Sequence, residues 1–380
     1  MLNNLLTTTD PAHYEQYLNE KIATILNLLE NFGIDHPEPM VFPSAPEYYR
    51  MRAEFSVFQN EDHNSFSFVM FEPHTKPRKR IVIDEFPIAT KAINQGMNLL
   101  RQLGPSYPEI KDQLFEVDFL CNTKNELIIA LEYHRKLDEK AWKDAATKLK
   151  QSFADRGVSV NFVGRSRKQQ ILADSDTLLE VINTADKDFF LYQVEGNFTQ
   201  PNMYACRNMI NFARSCCTAT QDSDLLELYC GSGTFTVCLA DRFRKVLATE
   251  VSRVPTLTAL KNIEKNRINN TKLVRLSAVE VTEALNQIRP FRRLENAGIN
   301  LKEYDFKTLL IDPPRSGLCD KEALDFTARF DRVIYISCGP QSLAADLVHL
   351  TKTHRIEKLA FFDQFPYTPH LESGVLLTKI

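Results

Sequence analysis

Val333-Ile334-Tyr335-Ile336-Ser337-Cys338-Gly339-Pro340 is a short apolar run that stops at a small polar residue, a cysteine, a glycine and a proline. A buried parallel strand ends in this way at its carboxyl edge. Two other stretches end alike: 309–311 runs into Asp312-Pro313-Pro314-Arg315, and 225–229 runs into Cys230-Gly231-Ser232-Gly233. Working outward, strand patterns at 225–229, 245–249, 273–276, 308–311 and 333–336 alternate with helical ones. That rhythm is βα repetition and predicts an α/β fold, a doubly wound, Rossmann-like and mostly parallel sheet. The runs 356–363 and 375–379 have no helix between them and predict a closing, terminal antiparallel hairpin. Ligands of such a sheet sit outside the carboxyl ends of its strands, so Cys338 is placed for chemistry.

Before residue 190 the rhythm differs. Asp10-Pro11 reads as a helix start, and Tyr14, Leu18, Ile22, Ile25 and Leu29 recur at helical spacing to about Asn31. A proline-rich loop follows. Strand patterns at 51–58, 65–71 and 80–84, with a polar turn at 60–64, lead into a helix at 87–103. Strands at 115–121 and 127–133 precede a helix capped by Asp138 and closed by Gly157, then a strand at 158–163. This order predicts an α+β domain, an antiparallel sheet backed by helices. The expected division is 1–190 and 191–380.

The 380 residues, 43% apolar and 25% charged, suffice for two cores. A formal charge of −3 excludes a globally basic coat, so any affinity for phosphate must come from local patches. No apolar run reaches the roughly eighteen residues of a membrane span. The amino end, Met1-Leu2-Asn3-Asn4, lacks a basic stretch leading into an apolar one, so secretion is not expected either. The cysteines, at 121, 206, 216, 217, 230, 238, 319 and 338, form no CxxC, and two are adjacent. They fit free thiols of a cytoplasmic protein.

The stretch 225–235 reads as strand, glycine turn and helix start, and Glu250 ends the next strand nineteen residues after Gly231. Glycines let a backbone approach its ligand, and an acidic side chain there can take two ribose hydroxyls. The third glycine of a dinucleotide fingerprint is missing, because the turn continues as Thr234-Phe235. A nucleoside without a pyrophosphate, such as S-adenosylmethionine, is therefore the expected cofactor. Taken singly, Cys338 also suits a packed small side chain, the reading given to Cys230 and Cys238, and Glu372 a solvated carboxylate.

The stretches Phe198-Thr199-Gln200-Pro201-Asn202, Glu227-Leu228-Tyr229-Cys230-Gly231-Ser232-Gly233, Asp312-Pro313-Pro314-Arg315, Ile336-Ser337-Cys338 and Leu371-Glu372-Ser373-Gly374 together resemble the S-adenosylmethionine-dependent RNA uracil-5-methyltransferases. The likeness runs through the whole carboxyl half. Tyr49-Arg50-Met51-Arg52-Ala53-Glu54-Phe55 and Asp363-Gln364-Phe365-Pro366-Tyr367 are similar to the bacterial members that act on tRNA. Gly339, where asparagine is commoner, and Thr234 depart from the pattern. Asp312-Pro313-Pro314 is also similar to an amino-methyltransferase signature, but an aromatic usually follows there and Arg315 follows here. The resemblance implies a class I methyltransferase domain behind an amino-terminal RNA-binding domain, with S-adenosylmethionine as cofactor.

Uracil C5 is too weak a nucleophile to take a methyl group unaided, and a thiolate adding at C6 makes C5 electron-rich. Cys338 takes that role, and Glu372 is the base that later removes the C5 proton. Tyr229, Gly231, Gly233, Thr234 and Glu250 carry over as cofactor positions. Gln200 and Asp312 belong to the site, on the uracil edge or on the cofactor. On the RNA side the candidates are Arg50, Arg52, Phe115 and His134; by strand alternation with Val117 and Phe119, Phe115 suits the core better. The basic runs Lys76-Pro77-Arg78-Lys79-Arg80 and Arg165-Ser166-Arg167-Lys168 suit phosphates or plain solvated turns. The implied substrate is the T arm of tRNA, with the T-loop uridine at position 54 flipped out to reach Cys338. Ribosomal-RNA relatives often carry an iron–sulfur cluster and an extra amino-terminal barrel. Here no cysteine precedes Cys121, so no cluster and no metal are expected. The protein is expected to act as a monomer. A ribosomal-RNA enzyme, or an RNA-binding folding factor whose methylation is incidental, are the alternatives.

Overall fold

Strands that are apolar at every position need cover on both faces, and Asp224–Leu228 is buried at all of its residues. In the computed structural model, which describes residues 6–59, 65–73, 75–318 and 320–380, this strand lies inside an eight-stranded sheet. The polar turn at 60–64, Cys319 and the first four residues, all read above, lie outside the described residues. The strand order is Met40–Phe42, His354–Phe362, Glu372–Lys379, Arg332–Ser337, Phe306–Ile311, Asp224–Leu228, Lys245–Thr249, Thr271–Val274. All neighbours run parallel except around Glu372–Lys379, which is antiparallel to both His354–Phe362 and Arg332–Ser337. From Asp224–Leu228 the chain winds outward one way through Lys245–Thr249 and Thr271–Val274. It then returns to add Phe306–Ile311 and Arg332–Ser337 on the other side. The order reverses between Asp224–Leu228 and Phe306–Ile311, the kind of crevice where α/β sheets bind ligands.

By contacts the chain divides into two units built of interleaved segments. One comprises 1–14, 45–180 and 192–203, the other 15–44, 181–191 and 204–380. The helix Tyr14–Asn31 and the strand Met40–Phe42 thus go almost wholly with the βα series. Met40–Phe42 sits inside the stretch read as a proline-rich loop; it pairs in parallel with Ala360–Phe362, and the Phe42 ring stacks on Phe362 at 4.9 Å.

The other unit holds a seven-stranded sheet in the order Arg80–Val82, Phe66–Phe71, Arg52–Gln59, Leu114–Cys121, Leu127–Tyr133, Val160–Ser166, Gln169–Leu172. Its pairs are antiparallel except Leu127–Tyr133 with Val160–Ser166, which the helix Glu139–Ala154 joins as a crossover and so makes parallel. Asp138 caps that helix, accepting from the Ala141 N–H at 2.9 Å. The preceding helix begins at Lys91 rather than 87, because Asn94 turns back to bond Phe86 N, Phe86 O and Ala89 O, which holds 86–90 as a turn. Besides Met40–Phe42, the described residues hold three more strands that were not expected: Gln169–Leu172, Thr177–Asn183 and Asp188–Val194, the last two forming a separate two-stranded sheet.

Candidate active site

The glycine turn begins where Asp224–Leu228 ends. Tyr229, Gly231 and Gly233 all have positive φ (60°, 54° and 79°), so the chain curls at every second residue. Such φ is costly for a residue with a Cβ, which makes Tyr229 a strained position. No protein atom lies within 4 Å of where a Cβ on Gly231 would sit, so the space above the turn is open to a ligand. Gly233 is different: a Cβ there would meet the Ala259 Cβ at 3.1 Å, so this glycine lets the turn sit close on the helix Arg253–Lys265. Glu250 accepts from the Gly231 N–H at 3.1 Å and the Ser252 N–H at 2.7 Å, which locks its carboxylate across the two strand ends. Below the turn, buried Glu227 accepts from the Thr236 hydroxyl at 2.6 Å, and burial pushes its carboxyl up to about 8.

Two strands away, Cys338 follows Ser337 at the end of Arg332–Ser337. Register fixes what lies beside it. Ser337 pairs with Ser373, so Glu372, the first residue of the antiparallel strand, stands next to Cys338. On the other side Ile311 pairs with Tyr335, which brings Asp312 to the same edge of the sheet. Burial raises all three groups: Asp312 to about 7, Glu372 to about 8 with Asp312 adding to it and Arg315 opposing. The Cys338 thiol, half-buried, is pushed up by burial and by Glu372 and Asp312, with Arg315 acting the other way.

The loop after Asp312 is braced by residues that carried no sequence signal. Asp346 accepts from the Leu318 N–H at 3.0 Å and the Tyr335 hydroxyl at 2.6 Å, tying that loop to the cysteine's own strand. Ser342 donates to the Arg315 carbonyl at 2.8 Å. A Cβ on Gly339 would fall 2.5 Å from that carbonyl oxygen, so asparagine would not fit this approach without a shift. Arg315 in turn reaches His370 Nδ1 at 3.2 Å.

The remaining candidates lie in the other unit, each described there alone. Gln200 is half-buried, beside Pro201, whose carbonyl accepts from the Met51 N–H at 2.7 Å. Arg50 Nε donates to the Arg52 carbonyl at 2.8 Å, and Arg52 Nη1 to the Asn197 carbonyl at 2.9 Å. Phe115 corrects its core reading. A bulge between Leu114 and Glu116 turns it off the buried side, and its ring stacks on exposed His134 at 3.9 Å and 9°. Phe198, in the same motif as Gln200, is 73% exposed. Arg80 lies over the exposed Phe58 ring at 3.8 Å, while Arg165 is taken up by Glu195. Among the described residues one acidic group, Glu54, Glu116 and Asp118, brings its oxygens within 4.8 Å of one another. No helix among the described residues is long and apolar enough to cross a membrane.

A mostly parallel βα sheet with a glycine turn at its reversal point and an acidic residue at the next strand end is the arrangement of a class I methyltransferase domain. The tRNA (Uracil-5-)-methyltransferase family model matches residues 13–380. The tRNA/tmRNA (uracil-C(5))-methyltransferase of Pseudomonas putida KT2440 is 45% identical over 370 residues, covering 97% of this chain and 98% of that protein. Its counterpart in Azotobacter vinelandii is 46% identical with the same coverage. Among solved structures, the Pyrococcus abyssi tRNA (uracil-54, C5)-methyltransferase in complex with S-adenosyl-L-homocysteine matches at a TM-score of 0.68 and 20% identity, over 96% of this chain and 83% of that one, a likeness of fold. The chain belongs to the tRNA (uracil-5-)-methyltransferase family, and it is an enzyme whose methyl donor is S-adenosylmethionine.

Proposed function

We propose that the enzyme methylates C5 of the T-loop uridine of tRNA through a covalent adduct on Cys338. The Cys338 thiolate adds to C6, and the C5–C6 π pair moves to give an enolate on O4. C5 then attacks the sulfonium methyl; the new C–C bond forms as the methyl–sulfur bond breaks and S-adenosylhomocysteine leaves. Glu372 takes the C5 proton, the C5–C6 double bond re-forms, and the carbon–sulfur bond breaks to return the thiolate. Asp312 and Gln200 hydrogen-bond the uracil edge or the cofactor, and a donor near O4 would stabilise the enolate. Tyr229, Gly231, Gly233, Thr234 and Glu250 hold the cofactor, Glu250 through its ribose.

The observation that carries this reading is the strand register that brings Asp312, Cys338 and Glu372 to one edge. A carboxyl held up to about 8 suits a base that must take a carbon-bound proton, since basicity rises with pKa. The unit that holds 45–180 and 192–203 supplies the RNA-binding part, with Arg50 and Arg52 on phosphates and the Phe115–His134 stack as an aromatic platform for unpaired bases. The relatives' names include tmRNA, which supports a T-like loop as the unit recognised. The test is mass mapping of tRNA and ribosomal RNA after incubation with methyl-labelled S-adenosylmethionine. Label in 5-methyluridine at position 54 of tRNA is expected; label confined to ribosomal RNA would contradict it.

A further inference from the structure

The helix Tyr14–Asn31 precedes every motif that carries the chemistry, yet one of its side chains reaches the loop that delivers Glu372. Lys21 is buried. Its ammonium has three N–H donors and finds three acceptors: Asp363 Oδ1, the Phe365 carbonyl at 3.2 Å and the His370 carbonyl at 3.1 Å. Two of these acceptors lie near the start and one near the end of the connection 363–371, which runs from Phe362 to Glu372, themselves a paired couple across the hairpin. Asp363 is fully buried, and its N–H is held by the Phe42 carbonyl at 3.0 Å. Tyr17, one helical turn before Lys21, meets Tyr367 of the same loop edge-on at 6.1 Å.

We infer that Lys21 is a positioning residue for the base: by gripping 363–371 at three points it sets where the Glu372 carboxylate stands relative to Cys338. The inference rests on the proposed role of Glu372. It also explains why a lysine occupies a buried helix position, where an apolar side chain would pack without needing a partner. The loop is also held by the Arg315–His370 contact from the Asp312 strand end, whereas Lys21, with Tyr17 and the Phe42 carbonyl, holds it from outside the Asp312 and Cys338 strand ends. An error of about 1 Å in a reacting group can cost about 100-fold in rate without weakening binding.

The test is steady-state release of methylated tRNA by Lys21→Met and by Lys21→Met/Asp363→Asn, which removes both buried charges and keeps the fold testable if the single variant melts. Glu372→Gln serves as reference. Both Lys21 variants are expected to lose about 10- to 100-fold in kcat. KM for tRNA and for S-adenosylmethionine should fall along with kcat rather than rise, because only the proton-removing step after adduct formation is slowed. A covalent protein–RNA species should accumulate, as the late step becomes slow. A folded double variant with wild-type kcat, or a loss seen only in KM, would overturn the inference while a Glu372→Gln adduct still stood. Absence of the adduct in Glu372→Gln itself would instead strike the reading of the base, and the role of Lys21 would fall with it.

Discussion

Two strand ends of one sheet both run into cysteine and glycine, and they do opposite things. At Tyr229-Cys230-Gly231-Ser232-Gly233 the chain turns left-handed three times, which faces backbone outward and tucks Cys230 inward to 7% exposure. Burial pushes that thiol far above its ordinary range, so it is inert. At Ser337-Cys338-Gly339-Pro340 no residue has positive φ, and the chain passes directly into the helix Pro340–Leu350. The Cys338 side chain is left half-exposed between two carboxyl groups. The same residue pair therefore makes a backbone cradle at one end and presents a side chain at the other. Local φ decides which.

The comparison breaks most visibly at Cys338. Cys338→Ala is expected to lower methyl transfer at least about 10⁴-fold, while tRNA binding in filter assays stays within about threefold. Gly233→Ala strikes the cradle instead. At φ 79° and against Ala259, an added methyl should cost about 1–2 kcal/mol of stability and raise KM for S-adenosylmethionine about tenfold, with kcat little changed. Cys230→Ala should be the mildest, within about threefold in kcat and KM, since its thiol is buried and its contact to the Gly231 carbonyl is long, at 3.9 Å. Steady-state kinetics on the three variants orders them.

Acidity sharpens the same contrast. In the proposed mechanism Cys338 and Glu372 both act deprotonated, and both are shifted up, Glu372 to about 8. Charge is gained as pH rises, so kcat/KM should climb from about pH 7 to about pH 9; a plateau from pH 6.5 onward would contradict this. For stability the sign reverses. A native carboxyl that keeps its proton to about 8, against about 4.3 when unfolded, makes the folded state bind more protons in that window. Stability is then full below about pH 4.3 and falls by up to about 1.4 kcal/mol per unit as pH rises to about 8. Glu372→Gln should flatten that slope, as urea midpoints at pH 5 and pH 8 will report.

The βα series, the terminal hairpin and the two glycine-marked strand ends were legible because strands buried on both faces read as unbroken apolar runs. Two kinds of feature were not. Phe115 shares the alternation of buried Val117 and Phe119, and a period-two reading cannot see the bulge that swings it out to His134. Met40–Phe42 is three residues long between prolines and shows no period at all. Lys21 does carry a signal in the sequence. Tyr14, Leu18, Lys21, Ile25 and Leu29 make the buried stripe of their helix, whereas Ile22 is half-buried. A lysine on an apolar stripe implies a buried partner, but the partner is 342 residues further on and only the fold names it. The braces from Asp346 and Ser342 are likewise products of packing, with no spacing to betray them.

The central claim is a transient bond between Cys338 and uracil C6 that Glu372 is needed to release. Its most direct measurement is mass spectrometry of Glu372→Gln after incubation with unmodified tRNA and S-adenosylmethionine. A protein–RNA adduct carrying the methylated uridine is predicted, mapped to the peptide containing Cys338 and absent from Glu372→Gln/Cys338→Ala. An adduct that survives the loss of Cys338, or none with Glu372→Gln while methylation proceeds at the wild-type rate, would contradict the account.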